Sequence, residues 1–107
     1  MIVEILSQRT EIKRVTTIGT KIRAYYKDNL FIDVYWSKSG RYDVALIYDN
    51  RRILCWDNAP HHREVSTFPH HRHEFNRIYD SDVEDADKDL GKILDYIKNF
   101  IEKEKLL

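Results

Sequence analysis

The stretch "LFIDVYW", residues 30–36, constrains the fold more than any other part of the chain. Leu30, Ile32, Val34 and Trp36 alternate with Phe31, Asp33 and Tyr35, the period of an extended strand with one apolar face. A helix would scatter those four side chains around its axis. "SKSG" at 37–40 supplies a turn, and "RYDVALIYD" repeats the alternation with Tyr42, Val44, Leu46 and Tyr48 on one face. "DNRR" at 49–52 reads as another turn. "RILCWD" follows as a strand, with Leu54 and Trp56 opposed by Ile53 and Cys55. Short strands joined by tight turns pair as antiparallel neighbours. Upstream, "IKRVTTIGTKIRAYY" is rich in β-branched and aromatic residues. On an extended chain Ile18, Ile22, Ala24 and Tyr26 share a face, with Gly19 marking a bulge or bend before a turn at 27–29.

A sheet with one apolar face needs a cover. In "SDVEDADKDLGKILDYIKNFIEKEKLL", Ala86, Leu90, Ile93, Leu94, Ile97, Phe100 and Ile101 recur at three and four, the stripe of an amphipathic helix. Ser81 with Glu84 fits a capping box. Acidic residues at the start and Lys103 and Lys105 at the end suit the helix dipole. Ile2, Ile5 and Leu6 also have helical spacing, over too short a run to weigh heavily. The expectation is an α+β fold in one domain over residues 1–107. A four- to five-stranded antiparallel sheet is packed by one C-terminal amphipathic helix.

Charge and cysteine usage narrow the class. The net charge is zero, but residues 1–56 carry ten Lys/Arg against six Asp/Glu, and residues 80–107 carry five against nine. That predicts a basic and an acidic surface. The single Cys55 has no partner for an internal disulfide. No apolar run is long enough to span a membrane, and the opening "MIVEILSQRT" lacks the features of a signal peptide. A cytoplasmic protein is expected. Gly-rich phosphate loops, paired Cys ligands and Ser-centred elbows are absent from the sequence.

The functional signal lies in "WDNAPHHREVSTFPHHRH", residues 56–73, which holds all five histidines and both prolines. Pro-His-His-Arg occurs twice, at 60–63 and 69–72. Proline restricts its own φ and pushes the preceding residue toward extended backbone. Both His-His pairs are therefore expected on stiffened, extended chain, where consecutive side chains point to opposite sides. His71 and His73, two apart, then share a side. Three readings follow. In the first, His71 and His73 ligate zinc with a third group from His61, His62 or Asp57, although the spacing matches no strong zinc pattern. In the second, two imidazoles act as base and acid on an RNA phosphodiester, with Asp57 orienting a ring and Arg63 and Arg72 holding phosphate oxygens. In the third, the histidines are structural and hydrogen-bond main-chain oxygens.

Other conspicuous residues read more plainly. Seven tyrosines on alternating strands suit a sheet surface or core. The Asp cluster at 80–89 lacks the ordered spacing of a calcium loop and suits helix capping. Cys55 reads as a small core residue.

The same segment resembles the signature of the TumE family of toxin–antitoxin proteins. An aromatic residue, Trp56, precedes Asp57, Asn58, Ala59, Pro60, His61 and His62; then come Thr67, Phe68, Pro69, His70, His71 and His73. The close resemblance covers residues 53–73 and extends loosely to Ser81. Family members often carry Pro where this chain has Arg63. The resemblance implies a prokaryotic toxin with a cognate antitoxin partner, and does not itself supply a target. RNA as the substrate is an expectation from the histidines. The expected reactive patch is His61, His62, His70, His71 and His73 with Asp57, and Asn58, Arg63 and Arg72 are the expected substrate contacts. No cofactor is required on this reading, though zinc on the histidines is the alternative that would make the protein a metal-dependent hydrolase. A non-enzymatic module that binds a partner protein or nucleic acid is the other alternative. A homo-oligomer is compatible with the sequence.

Overall fold

A computed structural model describes residues 1–107. The chain forms α1 (Ile2–Gln8), β1 (Arg14–Ile18), β2 (Lys21–Lys27), β3 (Leu30–Trp36), β4 (Tyr42–Tyr48), β5 (Arg51–Asp57), β6 (His71–Glu74), β7 (Arg77–Asp80) and α2 (Leu90–Glu104). The strands make one antiparallel meander in the order β1 to β7. The fold is α+β, with an antiparallel sheet and a C-terminal helix, but the sheet has seven strands rather than four or five.

The extra strands have identifiable causes. Gly19 is a turn residue, not a bulge. Its φ of +58° lets Gly19–Thr20 close a two-residue hairpin between Ile18 and Lys21. The segment that reads as one β-like run is thereby split into β1 and β2. The strands β6 and β7, "HRHE" and "RIYD", are four residues each and mostly polar. No apolar alternation announces them. They become strands because β5 offers an unpaired edge to β6, and β6 then offers one to β7.

One face of the sheet is apolar. Ala24, Tyr26, Ile32, Val34, Tyr42, Val44, Leu46, Leu54 and Trp56 lie in a single core with Ile2 and Leu6 of α1. Leu90, Ile93, Leu94, Ile97, Phe100 and Ile101 of α2 complete it. Burial of those six α2 side chains contributes on the order of 10 kcal/mol of transfer free energy before ordering costs. The short α1 also packs here, so two helices cover the sheet.

The helix begins later than the sequence suggests. Ser81 does not cap it; the Ser81 hydroxyl accepts from the Val83 amide at 3.0 Å. Asp89 Oδ2 accepts from the amides of Glu84 and Asp85, and Asp85 Oδ1 from those of Asp87 and Lys88. These local bonds satisfy the backbone in turns, so residues 81–89 have no need of helix. Val83 and Ala86 still anchor the segment in the core. No helix is long and apolar enough to cross a membrane.

Candidate active site

Strand register decides which residues meet. Trp56 points into the core, so its neighbours Cys55 and Asp57 face the other side of the sheet. Across the next ladder Cys55 pairs with His73, and Asp57 with His71, which puts both histidines on that same open face. On the other flank Asp43 lies opposite Asp57, and Ala45 opposite Cys55. The loop between β5 and β6 then folds back over this corner and brings in His62.

The three imidazoles form a tight triangle. Ring centroids are 4.9 Å apart for His62 and His71, 5.3 Å for His62 and His73, and 4.8 Å for His71 and His73. Each pair meets nearly edge to face, at 72–76°. One nitrogen from each ring lies within 4.8 Å of the other two.

His71 is the buried member, 1% exposed. Its Nδ1 lies 2.9 Å from the Pro69 carbonyl, which only accepts, so Nδ1 carries a proton. In the neutral ring Nε2 is left as a bare lone pair. That atom is buried and has no hydrogen-bond partner. Asp57 Oδ1 is 3.0 Å away, but out of line for a hydrogen bond. His73 Nε2 lies 3.7 Å from Asp57 Oδ2. Burial holds the His73 pKa below the ordinary histidine value; Asp57 opposes that shift, while His71, His62 and Arg52 add to it. His73 is therefore neutral at pH 7. His62 Nδ1 lies 3.3 Å from Glu64 Oε2.

Asp57 is held in place from its own strand. Its Oδ1 accepts from the Ala59 amide at 2.9 Å, and the Cys55 thiol points to its Oδ2 at 3.5 Å. Burial, and then the Asp43 charge, push the Cys55 thiol well above its ordinary value. Cys55 is thus a neutral donor rather than a nucleophile. Beside Asp57 opens a cavity of about 540 Å³, whose walls include Tyr35, Arg41, Asp43 and Arg52.

The other residues expected at the site lie elsewhere. His61 is exposed in a turn closed by its amide onto the Ala59 carbonyl, so the first His-His pair is not extended. His70 points to the helix side of the sheet, stacked on Tyr42 with Nδ1 2.8 Å from the Tyr42 hydroxyl. Arg72 also faces α2, lying over Tyr79 and Tyr96. Arg63 is exposed above Phe68. Both ends of the Asn58 amide are bonded to backbone: Oδ1 accepts from the Tyr42 amide and Nδ2 donates to the Gly40 carbonyl. Thr67 likewise pins the loop, donating to the His70 carbonyl and accepting from the Ser81 amide.

The structure thus brings together His62, His71, His73 and Asp57. It adds Asp43, Cys55, Arg41 and Arg52, which sequence reasoning did not assign to the site. Period-two alternation could have placed Cys55 beside Asp57, since residues two apart share a face. Chemically, the cluster offers imidazole lone pairs beside the Asp57 carboxylate, which itself lines a cavity with two guanidinium groups. A family model described as Toxin TumE matches residues 2–101. No curated protein matches the chain, and no solved structure does.

Proposed function

The chain belongs to the TumE toxin family and is the toxin component of a toxin–antitoxin system, and from that premise we propose that it acts on RNA at the His62–His71–His73 cluster. The observation that carries the reading is the convergence of three imidazoles and Asp57 at one corner of the open sheet face. Cleavage of a phosphodiester needs electron pairs that activate an attacking oxygen and positive charge that holds the phosphate. His62 and His73, both partly exposed, supply the former. Arg41 and Arg52 line the adjoining cavity and supply the latter. The basic balance of residues 1–56, most of the sheet, favours approach of a polyanion to this face. Family membership points to an antitoxin protein as the partner.

The test is cleavage of RNA by purified protein. His73→Ala is expected to lower the rate roughly 100-fold or more. His61→Ala, exposed and apart from the cluster, is expected to leave it unchanged. Equal cleavage by a folded His73→Ala variant would remove the cluster from the reaction. A binding-only protein would show no turnover in either form.

A further inference from the structure

We infer that His62, His71 and His73 form a binding site for a zinc-class divalent ion, with Asp57 supplying the balancing negative charge. This deepens the reading of the cluster as the reactive site and rests on it for its chemical consequence; occupancy itself is a separate matter.

Three observations carry the inference. The first is spacing. An acid and a base on opposite sides of a phosphate need imidazole nitrogens roughly 7–8 Å apart, because each hydrogen bond takes about 2.8 Å and the group itself must fit between them. Here one nitrogen from each ring falls within 4.8 Å of the other two, which leaves no room for a phosphate between those atoms. It suits one small ion. Tetrahedral Zn–N bonds of about 2.0–2.1 Å place ligand nitrogens about 3.4 Å apart, within reach of small side-chain rotations from the positions seen.

The second is the orphaned atom. A fully buried imidazole nitrogen without a partner costs about 1–3 kcal/mol. His71 Nε2 is such an atom, and it lies 3.0 Å from Asp57 Oδ1 while Nδ1 turns to the Pro69 carbonyl. Neutral His71 sets its lone pair 3.0 Å from a carboxylate oxygen, an arrangement that is repulsive as it stands. A protonated ring would be drawn to that charge, yet without a hydrogen bond, since the oxygen lies off the N–H direction. A cation shared by Nε2 and Asp57 turns the same placement into an attraction.

The third is the outer layer of contacts. Metal-binding histidines usually give their second nitrogen to a carbonyl or carboxylate, which fixes the tautomer. His71 Nδ1 faces the Pro69 carbonyl, and His62 Nδ1 faces Glu64. Imidazole donors with one carboxylate suit zinc and its neighbours rather than magnesium or calcium. An ion there would occupy the imidazole lone pairs and would take over activation of the attacking oxygen, by polarising water or a phosphate oxygen.

The experiment uses protein made without an affinity tag and stripped with a chelator. Zinc is titrated calorimetrically, and cobalt is followed by its visible absorption. One equivalent is expected to bind, with the intense bands of a tetrahedral cobalt site. His62→Ala with His73→Ala is expected to abolish saturable binding. His62→Ala alone, a change in the loop, serves if the double variant does not fold. Asp57→Asn is expected to weaken binding about tenfold, and His61→Ala not at all. Less than about a tenth of an equivalent at 100 µM zinc, or unaltered binding by a folded His62→Ala variant, overturns the inference. Cleavage by protein that binds no zinc leaves the RNA reading standing and overturns the ion. One bound equivalent with no RNA cut does the reverse.

Discussion

Two adjacent histidines show how much one residue of alternation decides. His70 and His71 are neighbours, yet the sheet separates them. His70 shares a hydrogen bond with Tyr42, whose hydroxyl in turn donates to the Val83 carbonyl, tying the loop to the segment before α2. His71 points to the open face. His70→Ala should therefore lower stability by about 1 kcal/mol, the value of one partly buried hydrogen bond, in a denaturant titration. RNA cleavage at a permissive temperature should not change. The reverse pattern, stable protein and lost cleavage, would assign His70 to the reactive site. Cys55 makes a second residue-scale case. Its thiol is buried, faces Asp57 and Asp43, and is held above its ordinary pKa. The thiolate is the reactive species. Native protein at pH 8 should resist iodoacetamide for hours, whereas denatured protein should react at the rate of a free thiol. Rapid labelling of the folded protein would mean that this face is more open than described.

Among the elements, the turns hold the register and the helix holds the core. Gly19 sits at φ +58° with open space where a Cβ would project, so Gly19→Ala meets only the backbone penalty. It should cost about 1–2 kcal/mol. Gly91 lies in the first turn of α2, again with open space around a built Cβ, but at ordinary helical backbone. Gly91→Ala should raise the melting temperature by roughly 2–4 °C, from about 0.5 kcal/mol of helix propensity. The strands from Leu30 to Asp57 and the apolar stripe of α2 were legible because period two and period 3.6 write themselves into the sequence. Strands β6 and β7 were not, since pairing with β5 rather than side-chain pattern makes them strands. Asp43 escaped notice for a subtler reason. A register shift between Leu46 and Ile47 against β5 moves the ladder by one residue, so Asp43 meets Asp57 instead of Trp56. In the site, His62, His71, His73 and Asp57 could be named from the sequence. The separation of His70 from His71 follows from the same alternation, but the placement of His61 does not, because the Pro60–His61 turn has no periodic signature. Asn58 looks like a contact residue in the sequence, but its bonds to the backbone, with those of Thr67, make the two residues the pegs that hold the loop over the sheet.

On the scale of the whole molecule, the meander leaves one sheet face to the helices and frees the other for chemistry. The basic first half of the chain supplies most of that free face, and the acidic segment runs from β7 into α2 on the far side. A toxin built this way concentrates its reactive groups at one corner, where β5, β6 and the intervening loop meet. The account stands or falls on that corner being the source of toxicity. The most direct measurement is growth of cells induced to make the chain without its antitoxin, comparing the native sequence with His62→Ala/His73→Ala at equal abundance. Native protein should arrest growth, and the folded double variant should not. Arrest by the folded double variant would contradict the account, because the toxin would then act through some other surface.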